Sequence, residues 1–200
     1  MYRLHLKPGR ERSLLRRHPW IFSGAVERVV GDPPAGETVE VVSAGGEWLA
    51  RAAFSPHSQI MARAWTFDPG QPVSAEFLRQ RLDRALRARI PSGAPAALRL
   101  VNAESDGLPG LIVDRYGGWL VCQFLSAGAE RWKPAIVAAL EALTAAAGLY
   151  ERSDVDVREK EGLAPAAGVL AGAPPPAQVE VAGGGGRLQV GVQAGHKAGV

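Results

Sequence analysis

Apolar side chains at alternate positions, in runs cut short by glycine and proline, confine the first 68 residues of this chain to short β-strands. Thr38-Val-Glu-Val-Val42 alternates and stops at Ser43-Ala-Gly-Gly46, and Glu47-Trp-Leu-Ala-Arg-Ala-Ala-Phe54 returns as the second arm of a hairpin. Ile60-Met-Ala-Arg-Ala-Trp-Thr-Phe67 alternates again, with Ile60, Ala62, Ala64 and Thr66 on one face. Strands spaced this closely predict a small barrel, which Asp68-Pro-Gly-Gln-Pro72 ends.

The period then changes. Phe77, Leu78, Leu82, Ala85 and Leu86 recur at helical spacing over 75–89, behind Ser74 as a plausible N-cap. Pro91, Gly93 and Pro95 mark residues 90–95 as a linker. A second unit opens with a strand at 98–102, a turn-rich loop at 104–110, and a hairpin of 111–116 with 119–125 closed by Gly117-Gly118. A helix is expected over about 130–147, with Trp132, Ile136, Leu140, Leu143 and Ala147 as its stripe and Gly148 as its C-cap. Leu149-Tyr-Glu-Arg returns as a strand, giving the order β-β-β-α-β. Ala171-Gly-Ala-Pro-Pro-Pro-Ala177 reads as stiff linker, and 179–182 with 187–192 as a hairpin around a loose four-glycine turn. The fold class is therefore α+β, divided as 1–74, a helix and linker at 75–96, 97–177, and a hairpin segment at 178–200. The ending Gly195-His-Lys-Ala-Gly-Val200 reads as a cut through a longer protein.

Composition excludes several classes. Hydrophobic residues at 46% and charged residues at 22% are those of a globular chain with a core, not of a disordered one. The longest apolar runs, such as 136–140, are far shorter than a membrane span, and MYRLHLKPGR has no apolar signal segment. The expectation is a cytoplasmic protein with no membrane partner. The single cysteine, Cys122, lies in an apolar strand with no Lys, Arg or His within six residues, so it reads as core and not as a thiolate. Four scattered histidines have no ligand spacing, so no metal is expected. No nucleophile elbow, phosphate loop or strand–Gly-x-Gly–helix element occurs, and no catalytic residue is assigned. The acid pairs Glu104 with Asp106, and Asp154 with Asp156, read as turn-capping groups.

Charge is uneven. Residues 1–100 hold 15 Lys and Arg against 9 Asp and Glu, whereas residues 101–200 hold 8 against 11. Arg79, Arg81, Arg84, Arg87 and Arg89 read as the solvated face of the first helix. The other cluster is Arg3, Lys7, Arg10, Arg12, Arg16 and Arg17, with His5 and His18 alongside and only Glu11 opposing. It surrounds an apolar core of Leu14-Leu15 and Trp20-Ile21-Phe22. Cations interleaved with aromatic rings suit RNA, the first for the backbone and the second for unstacked bases. The candidate RNA-binding residues are Lys7, Arg10, Arg12, Arg16, Arg17, His18 and Trp20. The bland alternative is a soluble basic face that binds protein.

Ser13-Leu-Leu-Arg-Arg-His-Pro-Trp-Ile-Phe-Ser-Gly-Ala-Val26, Gly45-Gly-Glu-Trp-Leu-Ala-Arg51, Glu104-Ser-Asp-Gly-Leu-Pro-Gly110, Glu151-Arg-Ser-Asp-Val-Asp-Val-Arg-Glu-Lys-Glu-Gly162 and Gln193-Ala-Gly-His-Lys-Ala-Gly199 run in one order along the chain. Together they resemble the ribosomal RNA large subunit methyltransferase I family. The resemblance implies an N-terminal PUA domain, a small central domain, and a C-terminal Rossmann-like domain, beyond Val200, that binds S-adenosylmethionine. It implies methylation of C5 of a cytosine in 23S rRNA, through a cysteine thiolate that adds to C6 and lies in the part not present. His196 and Lys197 would stand at the edge of the cofactor domain, and the loop 104–110 and segment 152–158 would face it. This 200-residue chain alone is expected to be inactive. The reading admits a homodimer. Its alternative is a stand-alone PUA-type RNA-binding module in ribosome assembly, without catalytic activity.

Overall fold

Leu4 and Leu6 point into the same core from the first strand, β1 (Arg3–Leu6). The computed structural model describes residues 2–89, 97–183 and 186–193. After β1 come a one-turn helix, α1 (Arg12–Leu15), and β2 (Trp20–Phe22), β3 (Val26–Val30), β4 (Thr38–Val42), β5 (Trp48–Phe54) and β6 (Ile60–Thr66). They form one sheet in the order β2-β6-β5-β4-β1-β3, antiparallel except between β1 and β4. The expected hairpin is β4 with β5, where Val39 pairs Ala52 and Val41 pairs Ala50, all four buried. Among the described residues β2 and β3 share no ladder. Where the sequence predicts a barrel, the six strands make an open ladder that ends on the three-residue strand β2.

Ala62 and Ala64 face this core, as their alternation requires. The other face of β6 is buried too, because Trp65, with Ala53 of β5, joins the core of the second unit. That unit begins with α2 (Ala75–Arg89), which Ser74 caps by accepting the Phe77 N–H at 3.2 Å. The stripe Phe77, Leu78, Leu82, Ala85 and Leu86 is buried as the spacing predicts. The linker expected at 90–95 lies outside the described residues. Strands β7 (Ala97–Asn102), β8 (Leu111–Tyr116) and β9 (Trp119–Phe124) follow, then helices α3 (Ala127–Arg131) and α4 (Lys133–Leu143), then β10 (Gly148–Ser153) and β11 (Ala166–Gly172). The sheet order is β11-β10-β9-β8-β7, antiparallel except for β9 beside β10, which α3 and α4 connect. A hairpin, β12 (Val179–Gly183) with β13 (Gly186–Val190), lays Val179 and Val181 against Val121 on the sheet's second face.

Three expectations change here. The helix expected over 130–147 is two helices. Ser126 caps the first by accepting the Ala129 N–H, and Pro134, which has no N–H to continue the ladder, stands at the start of the second. Gly148 is no C-cap. Thr144, in extended conformation, ends α4, and Gly148 is the first residue of β10, where a Cβ would lie 2.0 Å from the Ala173 carbonyl oxygen. Ala171 and Gly172, read as linker, belong to β11, whose Ala- and Gly-rich sequence carries no alternation to announce it. No helix of the described residues is long and apolar enough to cross a membrane.

Candidate nucleic-acid interface

The basic segment is built as a loop pinned at two points. Leu14 and Ile21 are buried, and between them the chain turns back on itself. The turn closes α1 by a Schellman pair, in which Arg17 N–H donates to Leu14 O at 2.8 Å and His18 N–H donates to Ser13 O at 2.9 Å. Arg17 therefore stands at the left-handed position that helix ends normally give to glycine, with φ 60°. An L-residue there costs about 1–2 kcal/mol. Strain of this size persists where the surrounding hydrogen bonds over-determine the backbone, as these two do.

Alternation along β2 then turns Ile21 inward and Trp20 and Phe22 outward. Leu15, Trp20 and Phe22, expected as core, are exposed at 67%, 36% and 48%. The rings of His18 and Trp20, and of Trp20 and Phe22, meet edge to face at 5.6 and 6.2 Å. His18 Nδ1 accepts the Trp20 backbone N–H at 3.2 Å, and Trp20 Nε1 donates to Glu104 of the second unit at 2.9 Å. Trp20 is thus oriented at its nitrogen edge while its ring stays reachable.

Lys7, Arg10, Arg12, Arg16, Arg17, His18 and Trp20 are all exposed, and all lie on the segment that runs from the end of β1 through α1 to the first residue of β2. Lys7 Nζ donates to the Gly24 carbonyl at 3.1 Å, and the Arg17 guanidinium lies over the Phe67 ring at 5.8 Å. Among the described residues no carboxylate pairs with any of these cations. Their charge faces solvent. Phe22 and Leu15 extend the apolar part of this face, and only the three-dimensional turn separates them from Ile21 and Leu14.

Two arginines elsewhere are tied down inside the fold. Arg63 Nη2 meets Glu161 at 2.8 Å, and Arg158, expected to face a further domain, is buried, with Nη1 on Glu130 at 2.8 Å and Nε on the Ala164 carbonyl at 2.8 Å. Asp106 does cap a turn, accepting the Asn102 N–H at 2.5 Å. Cys122 is fully buried in β9, and burial pushes its thiol pKa up, away from nucleophilic use. His196 and Lys197 lie outside the described residues.

The crossover helix of the second unit does not fit S-adenosylmethionine. The crossover from β9 through α3 to β10 is the nearest thing to a nucleotide-binding βαβ unit. The opening of its five-residue helix α3 is filled by Ser126 and by the Glu161 carboxylate, which accepts the Ala127 N–H at 3.2 Å.

A family model for a PUA-like domain matches residues 4–67. Solved structures share the fold over 98% of this chain and about half of their own length. One is a Streptococcus mutans protein described as a SAM-dependent methyltransferase, at TM-score 0.79 and 19% identity; another is a methyltransferase structure with SAH, at TM-score 0.80 and 18% identity. Ribosomal RNA large subunit methyltransferase I of Cronobacter sakazakii is 50% identical over 98% of this chain and 50% of its own length. That of Shewanella frigidimarina is 50% identical over 98% and 51%, and that of Escherichia coli O157:H7 is 48% identical over 98% and 50%. This chain spans about half the length of the curated relatives it matches. The resemblance carried by its motifs is thus shown: over 98% of its residues the chain aligns with about half of a Ribosomal RNA large subunit methyltransferase I.

Proposed function

We propose that these 200 residues are the RNA-gripping part of an S-adenosylmethionine-dependent methyltransferase acting on C5 of a cytosine in 23S rRNA. The observation that carries the reading is the outward face of residues 7–22, with unpaired cations around exposed Trp20 and Phe22. Phosphate contacts from Lys7, Arg10, Arg12, Arg16 and Arg17 position the RNA, and the rings offer stacking to unpaired bases. S-adenosylmethionine supplies the methyl group and is held outside the residues described here. A stand-alone RNA-binding module would share this face; the 50% identity over 98% of this chain to proteins named as rRNA methyltransferases supports the methyltransferase reading.

Filter binding to protein-free 23S rRNA tests the reading. Several phosphate contacts make affinity fall by orders of magnitude between about 50 and 200 mM salt. Arg16→Ala is expected to flatten the slope of log K against log salt by about one, and to leave the melting temperature unchanged, because the exposed side chain makes no ion pair among the described residues. A flat salt response in the parent chain removes RNA from the reading. Calorimetric titration of S-adenosylmethionine into this chain is expected to give no binding heat. Micromolar binding would overturn the placement of the cofactor.

A further inference from the structure

The five arginines of α2 divide in the structure. Arg79 pairs with Glu76 at 2.7 Å, Arg87 with Asp83 at 2.9 Å and Arg89 with Asp106 at 2.9 Å. Arg81 and Arg84 have no carboxylate partner among the described residues. Arg81 stacks on Phe77 at 4.6 Å and reaches the Gly107 carbonyl at 3.5 Å. Both line a cleft of about 550 Å³ between the two units, and Arg17 of the first unit lines it as well.

The acids of that cleft are already engaged. Glu104 accepts from Trp20 Nε1 and lies 3.7 Å from Arg63; Asp106 holds Arg89 and the Asn102 N–H; Asp68 accepts the Gly70 N–H at 2.8 Å. Burial, and then the charge of Arg84, push the Arg81 guanidinium pKa down, so an anion entering here would relieve two neighbouring cations that have no carboxylate partner among the described residues, while Asp68, which accepts a backbone N–H, keeps its charge on the cleft wall. The non-glycine residues with left-handed backbone among the described residues, Arg17 at φ 60° and Ala103 at φ 46°, stand on or beside this cleft. Apolar walls from Pro19, Phe67 and Pro109 complete a pocket of the size that small ligands fill.

We infer that this cleft receives one unpaired nucleotide of the bound RNA, its phosphate held by Arg17, Arg81 and Arg84. The inference deepens the RNA-binding reading and rests on it. Arg17 belongs both to the exposed face and to the cleft, so the strand that crosses Trp20 continues into the pocket. Duplex RNA does not enter, because its phosphates cannot leave the helix for a pocket of this size.

The test uses this chain with a fluorescein-labelled single-stranded oligouridylate, read by anisotropy across a salt series, with thermal melts alongside. Arg81→Gln/Arg84→Gln is expected to weaken binding about tenfold and to flatten the salt slope by about one to two. Arg17→Gly is expected to weaken binding several-fold while melting at or above the parent temperature, since glycine relieves the left-handed turn. If both variants bind as the parent does while Arg12→Gln/Arg16→Gln binds more weakly, the pocket is overturned and the RNA reading stands. A parent chain that binds 23S rRNA but not the oligouridylate also overturns the pocket alone. Loss of both kinds of binding in the parent overturns both.

Discussion

Glu161→Gln is expected to destabilise the chain by about 3–5 kcal/mol, the loss that follows when one partner of a buried ion pair is removed. Glu161 is 1% exposed at the end of a 3-10 turn, Asp156–Glu161. One carboxylate oxygen lies 2.8 Å from Arg63 Nη2 on β6, and the other accepts the Ala127 N–H that opens α3. The side chain therefore joins the first sheet, the turn and the helix at one buried point. Glutamine keeps an acceptor for Ala127 but leaves the Arg63 cation, 7% exposed, with only Glu104 at 3.7 Å. Melting should fall by on the order of 10 °C. Arg63→Met/Glu161→Gln, which removes both charges and keeps the acceptor, should recover most of the loss. A double variant no more stable than the single one would show that the charge pair is not what holds this point.

The same group sets a pH dependence. Burial would raise the Glu161 pKa, but the Arg63 pair and the hydrogen bonds from Ser58 and Ala127 outweigh it and hold the carboxyl below its ordinary value. A carboxyl depressed in the folded state adds stability above its unfolded pKa of about 4.3, and that stability is lost as pH falls through the folded value. The gap in melting temperature between parent and Glu161→Gln should therefore narrow in acid. Glu130, also depressed between Lys133 and Arg158, gives both proteins a residual slope of the same sign.

What could be read before folding was whatever repeats locally. Val39, Val41, Ala50 and Ala52 alternate, and Leu78, Leu82 and Leu86 recur every four residues, so β4, β5 and α2 stood out in the bare sequence. The stripe Trp132, Ile136, Leu140, Leu143 is just as regular, yet it crosses a helix break that only Pro134 could have signalled. Strand β11 pairs along β10 through Ala and Gly backbone, with no pattern to betray it. The basic and aromatic face was legible because its residues lie within one short segment. The helix spacing already separates Arg79 and Arg87, with acids three and four residues before them, from Arg81 and Arg84, which have none; the cleft was not legible, since only the fold brings Arg17 to Arg81 and Arg84. The Arg63–Glu161 pair spans too much sequence for spacing to suggest it.

Close packing of the two units rests on missing side chains as much as on paired ones. Gly36→Ala is expected to destabilise by about 2–5 kcal/mol, because the new methyl meets a wall and the backbone is left-handed as well. Its Cβ would lie 2.3 Å from the Ala127 carbonyl oxygen and 2.8 Å from the Arg131 Cβ, at φ 79°. Gly128→Ala offends the same seam from the helix side, placing a methyl 2.4 Å from the Ala53 Cβ and 3.1 Å from Trp65 Cζ2. Neither neighbour is a flexible chain end; Ala53 is fixed in β5 between two paired strands. Relief in both variants requires α3 to move off the first sheet. Once one methyl has moved it, the second finds room, so the double variant should lose less stability than the two single losses combined. Gly9→Ala separates strain from clash: its φ is 76° with nothing within 4 Å, and it should lose only about 1 kcal/mol. Denaturant melts of the four variants decide the matter. Additive losses at Gly36 and Gly128 would mean that the two glycines serve separate contacts and that α3 does not move as one body against the sheet.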